Sequence, residues 1–165
     1  MQMVEVKFPD GRKIQLSAGP HNKIQKAVIE EFLPRFARQP RVLYLGDTTK
    51  NDLIVDLPGL EALGLALNQH DRLPDIVVLD EERNWLFLIE AVHSSNPVSP
   101  IRHLALERLT AKCKLGKVFV SVFENLRSFG KWAPEISWET EIWIIENPTH
   151  MIHNNGERFF GPRFN

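Results

Sequence analysis

Residues 85–92 read WLFLIEAV, an apolar run interrupted only by Glu90. A stretch this apolar has no face to offer water, so it reads as a central strand covered on both sides. A carboxyl there is costly unless something pairs with it or binds it. Just upstream, PDIVVLD is a second apolar run, and the polar tip EERN joins the two, so residues 74–92 read as an antiparallel hairpin. Asp75 starts the first strand and Glu90 lies near the end of the second, which puts both carboxylates at the open end. Two neighbouring carboxylates resist ionising together. A hard divalent cation removes that conflict, and Mg²⁺ suits such oxygen ligands. A competing reading pairs Glu90 with an Arg or Lys from a neighbouring helix. Pro-Asp alone carries little weight, because the dipeptide starts turns widely.

The flanking segments supply the rest of an α/β architecture. MVEVKF and RKIQLS alternate about the turn PDG and read as a β-hairpin. In SAGPHNKIQKAVIEEFLPRFARQ, Ile24, Val28, Phe32 and Phe36 recur every four residues, the pattern of an amphipathic helix. Pro34 kinks it or marks its last turn. At 100° per residue Glu31 falls within about 60° of Val28, whereas Glu30 points away, so Glu31 is the acid expected to look inward. RVLYLGD reads as a buried strand. If it runs antiparallel to the strand beginning at Asp75, it delivers Asp47 to the same sheet edge with Lys50 close by. In the alternative reading, Gly46 bends the chain and Asp47 caps the turn.

TTKNDLIVDLPGLEALGLALN reads as a loop with a short helix near residues 58–67. SPIRHLALERLTAKCKLG is a second helix, capped by Ser99, started by Pro100 and ended by Gly116. KVFVSVF and ETEIWIIEN read as strands, ENLRSFGKWAPE as a short helix and loop, and HMIHNNGERFF as a short strand with a turn. This order predicts one domain over residues 1–165. It is an α/β fold whose mixed sheet has helices on both faces, with an N-terminal β-hairpin.

Composition narrows the class of protein. At 165 residues folding buries roughly 70% of the unfolded surface, enough for a proper core. Four Trp and ten Phe argue against disorder. The single Cys113 excludes an internal disulfide or a Cys-based zinc site and suits a core position. No stretch nears the roughly 18 apolar residues of a membrane helix, and MQMVEVKFPDG lacks the apolar middle of a signal peptide. A cytoplasmic protein without a membrane partner is the expectation. The formal net charge of −1 speaks against a protein that coats nucleic acid, but not against a DNA contact surface balanced by an acidic site.

A nuclease hairpin of the kind written PD-(D/E)xK carries a lysine two residues after its glutamate. In phosphodiester hydrolysis such an ammonium stabilises the attacking hydroxide and the charge gathering on the phosphate. Residues i and i+2 of a strand share a face, and the residue here is Val92. Lys50, Arg102, Lys112 and Lys114 are the candidates to bring the charge from elsewhere. Lys112 and Lys114 also suit the solvated C-terminal end of a helix. His93 directly follows the site strand and is placed to touch a phosphate or a metal-bound water. His103, His150 and His153 read as surface or loop residues. HExxH, Walker and G-x-S-x-G patterns do not occur.

The stretches KFPDGRKIQLSAGPHNKIQKAVIEEFLPRFA, VLYLGDTTK, LPDIVVLDEERNWLFLIEAVHSSNPVSPIR and KVFVSVF occur in this order. Together they resemble the catalytic region of the BsuBI/PstI type II restriction endonucleases, from about residue 4 to about 147. The resemblance implies a PD-(D/E)xK nuclease fold, Mg²⁺ dependence, double-stranded DNA as substrate and the palindrome CTGCAG, which a two-fold homodimer reads naturally. It implies Asp75 and Glu90 as metal-binding catalytic acids, and matches Glu31 to the acid that many nucleases of this fold place on their first core helix. Glu-x-Val is shared with the family. Asp47 is expected to support the metal, Lys50 to assist catalysis, and His93, Ser94 and Arg102 to contact DNA. Family members are longer, with an added N-terminal region. A non-catalytic DNA-binding or assembly module that keeps the fold is the alternative. A different α/β hydrolase or a small-molecule binder has no motif in its favour.

Overall fold

The computed structural model describes residues 2–47, 51–65, 72–94 and 96–156. The chain opens with a hairpin of β1 (Met3–Lys7) and β2 (Lys13–Ser17), paired antiparallel from Met3↔Ser17 to Lys7↔Lys13. Helix α1 (Pro20–Ala27) follows, and Val28–Phe32 continue it as a π-helical turn into the short α2 (Leu33–Phe36). Then come β3 (Pro40–Asp47), β4 (Asn51–Val55), α3 (Leu57–Ala62), β5 (Ile76–Asp80), β6 (Trp85–Val92), α4 (Pro100–Leu109) and β7 (Gly116–Phe123). Helix α5 (Leu126–Trp132), a 3₁₀ turn at Ala133–Glu135, β8 (Thr140–Ile144) and β9 (Ile152–Asn154) complete the described chain.

Among the described residues the main sheet has seven strands in the order β4-β3-β5-β6-β7-β8-β9. β6, β7 and β8 run parallel to one another and the other neighbours antiparallel. Pleating sends alternate side chains of β5, β6 and β7 into two cores. On one face Val78, Phe87, Ile89, Ala91 and Val120 pack with Ile24, Val28, Ile29 and Phe32 of the first helix and with the N-terminal hairpin. On the other, Val77, Leu86, Leu88 and Phe119 pack with Leu60 of α3, Leu106 of α4 and Cys113. A third cluster, Val92, Phe123, Ile136, Ile142 and Ile144, closes the sheet beside α5. Burial on both faces is why WLFLIEAV is apolar at every position but Glu90.

Three elements differ from the sequence expectation. The first helix does not hold α geometry across Val28–Phe32, and the wider π turn buries Val28, Ile29 and Phe32 together. Rotation by 100° per residue therefore fails from there on. Residues 51–55, read as loop, pair with β3 as the edge strand β4. The helix after Ser99 ends at Leu109 rather than at Gly116, since the Thr110 hydroxyl donates to Leu106 O and the chain turns at residues 110–112. Cys113 is buried as expected but lies beyond that helix, and Gly116 begins β7. No helix among the described residues is long and apolar enough to cross a membrane.

Candidate active site

The register of β5 on β6 ends with Ile76 opposite Ile89, and one further step sets Asp75 against Glu90. Strand β3 joins this edge as expected: Leu45 faces Ile76, and Gly46 N–H donates to Asp75 O at 3.1 Å. Glu90 is 8% exposed, although its strand is otherwise buried hydrocarbon. Ala91 N–H donates to Asp75 Oδ2 at 2.8 Å, so the partner strand's own backbone fixes the Asp75 carboxylate.

Each helix layer sends one cationic side chain to this pair. From α1, His21 Nε2 lies 3.2 Å from Asp75 Oδ1. From α4, Arg102 Nε donates to Glu90 Oε1 at 2.8 Å. The sequence explains both placements. Gly19, at φ +153°, and Pro20 at the first helical position turn the chain sharply into α1, which leaves His21 in its opening turn. Gln25, one turn on, donates to Asp75 O at 3.5 Å, and its own Oε1 is buried without a partner among the described residues. The Ser99 side chain caps α4 by accepting from Arg102 N–H at 3.2 Å.

The two acids divide one negative charge between them. Burial and the neighbouring Asp75 charge push Glu90 up to about 7, against the opposing pull of Arg102. Burial works the same way on Asp75, but the bond to His21, the His21 charge and the Ala91 N–H outweigh it and hold Asp75 below its ordinary value. Near neutral pH Glu90 is thus partly protonated beside an ionised Asp75. His21 is raised in turn, first by its bond to Asp75.

The remaining expected site residues are distributed differently. Asp47 is buried at the sheet edge, but its Oδ2 accepts from Ser17 N–H at 3.0 Å, and the Asn22 amide donates to Ser17 O at 2.9 Å. Asp47 therefore ties the start of α1 to the end of β3. Glu31 sits half-buried on the π turn, and its carboxylate has no partner among the described residues. Glu30, expected to face away, accepts from Lys7 N–H and from Lys26 Nζ, both at 3.1 Å. Lys50 lies outside the described residues. His93 and Ser94 are exposed just past the end of β6. Lys112 and Lys114 are exposed after α4. His103, read as a surface residue, is held by Ser137 Oγ at 2.8 Å and packs edge-on against Phe119. His21 and Gln25 were missed, and the only signal for them was their place one turn apart behind Gly-Pro.

Among the described residues no group of three or more His, Cys, Asp or Glu side chains is gathered to hold a metal ion. The Asp75–Glu90 pair nonetheless fits Mg²⁺, which keeps several waters and takes one or two carboxylates from a protein. The repulsion that raises Glu90 beside Asp75 is what a bound cation relieves.

A mixed sheet sandwiched by helices, with Pro74-Asp75 and Glu90 opposed at the open end of its central hairpin, defines the class: a restriction-endonuclease-like fold. A family model described as BsuBI/PstI restriction endonuclease domain matches residues 4–157. The chain belongs to that family. Type II restriction enzyme BsuBI of Bacillus subtilis is 39% identical over 159 residues, 96% of this chain and 50% of that enzyme. Type II restriction enzyme AplI of Arthrospira platensis is 28% identical over 166 residues, 96% of this chain and 51% of that enzyme. The solved structure of SdaI restriction endonuclease aligns with a TM-score of 0.89 at 44% identity, covering 97% of this chain and 50% of that one. The chain spans about half the length of the relatives it matches.

Proposed function

We propose that this chain is a Mg²⁺-dependent endodeoxyribonuclease domain acting on double-stranded DNA. The observation that carries the reading is the opposed pair of buried Glu90 and partly buried Asp75, in which burial and the Asp75 charge hold Glu90 up to about 7. In this reading Asp75 and Glu90 hold Mg²⁺, which supplies an activated water and polarises the scissile phosphate when bound. The Ala91 N–H and His21 keep Asp75 aimed, and the covering helices limit water around the pair. A homodimer acting in the cytoplasm on a palindrome, CTGCAG by family resemblance, is the fuller form of the same proposal. Lys50 remains a proposed helper, while Asp47 is assigned to anchoring α1.

The test is plasmid cleavage in Mg²⁺ against EDTA by wild type and Asp75→Ala. Nicking by the wild type alone, and only with the metal, is expected; equal nicking by both proteins removes Asp75 from the site. A second reading, a DNA-binding or assembly module without activity, draws on the ion pair that Arg102 already gives Glu90. Binding of duplex DNA without cleavage in Mg²⁺ or Mn²⁺ selects it.

A further inference from the structure

We propose that Arg102 is the catalytic cation of this site, taking from α4 the role that a lysine at position 92 would have filled from β6. The inference rests on the nuclease reading above and adds the residue that completes it.

Position 92 is closed to the role. Val92 is 2% exposed and packs among Phe123, Ile136, Ile142 and Ile144, so an ammonium there would be buried in hydrocarbon. Arg102 reaches the same acid from the neighbouring layer. Its side chain is 18% exposed, and that of Glu90 is 10% exposed. Among the described residues no other Lys or Arg pairs with Asp75 or Glu90. The guanidinium spends its Nε–H on Glu90 Oε1 at 2.8 Å. Its two Nη amino groups have no partner among the described residues. A planar, permanently charged group held by one N–H with the others unspent is suited to phosphate oxygens.

The delivery of Arg102 is tied to the strand that neighbours Glu90. Ser121 of β7 stands beside Glu90 in the parallel register. Its hydroxyl accepts from Val98 N–H at 2.9 Å, and Val98 O accepts from Ser137 N–H at 2.8 Å. Ser99 then caps the helix through the Arg102 amide. Thus the residue beside the acid also pins the segment that carries the cation. A salt bridge serving stability alone gains little from such pinning, because burying an ion pair costs about what it returns.

The chemistry balances without a further reactant. A bond forms from water oxygen to phosphorus while the bond from phosphorus to the leaving sugar oxygen breaks. The water's proton passes to solvent, and the leaving oxygen takes one from solvent. The Arg102 Nη groups donate to the phosphate oxygen on which charge accumulates, an interaction stronger in the transition state than in bound substrate.

The experiment compares wild type, Arg102→Lys and Arg102→Ala in single-turnover cleavage of duplex DNA in Mg²⁺, with Mn²⁺ affinity measured by calorimetry. Arg102→Ala is expected to lose on the order of 10²- to 10³-fold in cleavage rate. Its Mn²⁺ affinity is expected to stay within about threefold, so the loss lies in the rate and not in metal loading. Millimolar guanidinium chloride is expected to restore at least about tenfold of the Arg102→Ala rate, and Arg102→Lys to fall about tenfold, as a point charge in place of a fork. Arg102→Lys keeps the test open if Arg102→Ala does not fold. Cleavage by Arg102→Ala at the wild-type rate overturns the assignment and leaves the nuclease reading standing. Loss of Mn²⁺ affinity without guanidinium rescue also overturns it, reducing Arg102 to a support for Glu90. A wild type that neither binds nor cleaves duplex DNA overturns the nuclease reading and this assignment together.

Discussion

The β5–β6 hairpin buries acids at both of its ends, and the two ends treat them in opposite ways. At the closed end Asp80 is fully buried and completely served. Its Oδ1 accepts from Arg83 N–H at 2.8 Å, and its Oδ2 accepts from Arg38 N–H at 2.9 Å and from the Arg83 guanidinium at 2.7 and 2.5 Å. Burial presses Asp80 upward, but these donors outweigh it and hold its carboxyl below the ordinary value. Arg83 also lies over Trp85 at 3.8 Å from the ring centroid and donates to Phe36 O. One acid is matched by donors from its own turn and from the segment that follows α2. At the open end two acids face each other, Glu90 is held up to about 7, and each helix layer brings one basic side chain, His21 or Arg102. Folding alone accounts for the first arrangement. The second spends stability on a charge conflict, the sign of a site built to receive something.

Removing an acid at each end separates these roles most widely. Asp75→Asn is expected to lower Mg²⁺-dependent cleavage on the order of 10³-fold, while chemical denaturation shows a smaller stability loss than Asp80→Ala, because the amide oxygen still accepts from Ala91 N–H. Asp80→Ala is expected to do the reverse: about 3 kcal/mol of stability lost, with cleavage by the folded fraction at the wild-type rate. If Asp75→Asn unfolds the protein, or Asp80→Ala abolishes cleavage in folded material, the division between the two ends is wrong.

A smaller effect follows for His21. Its bond to Asp75 Oδ1 makes it a positioning residue, and such supports commonly contribute 10- to 100-fold to metal affinity. His21→Ala is expected to weaken Mn²⁺ binding by about tenfold in calorimetry, and His21→Gln, which keeps a donor, to recover most of it. Unchanged Mn²⁺ affinity in His21→Ala would confine the residue to packing.

The open end was legible in the sequence where local pattern decides. The tip EERN between two apolar runs fixes the hairpin, and a two-residue period then forces Asp75 opposite Glu90. What escaped depends on the third dimension or on a break in periodicity. The spacing Ile24, Val28, Phe32, Phe36 looks the same for an unbroken helix and for one with a π turn, so a rotation of 100° per residue does not fix where Glu31 faces. Asp47 was correctly carried to the sheet edge, but nothing near it in sequence announces that Ser17 N–H, thirty residues away, claims its carboxylate. Arg102 stood among four candidate cations. Only the packing of α4 against β6 and β7 selects it as the partner of Glu90, the very pairing that the competing reading of Glu90 had required. Strand β4 was lost because NDLIVDLPG begins with poor strand formers and ends in Pro-Gly.

The finest test of the contrast is pH. Glu90 holds its proton up to about 7 in the folded protein, whereas an ordinary glutamate releases it near 4.5. Between those values the unfolded chain has lost a proton that the folded chain keeps, so stability falls as pH rises through the window and levels off above it. Asp75 shifts the other way and affects stability only at more acidic pH; His21 is raised and withdraws its contribution above its ordinary value near 6.5. The difference between wild type and Glu90→Gln therefore reports Glu90 together with its coupling to Asp75 and His21. In metal-free buffer the Tm advantage of Glu90→Gln is expected to grow from pH 4.5 to 7 by on the order of 5 °C. Excess Mg²⁺ at pH 8 is expected to close the gap by raising the wild type, which alone keeps both carboxylates for the ion. A gap constant across this range would place Glu90 with Asp80, among the acids that folding has already satisfied.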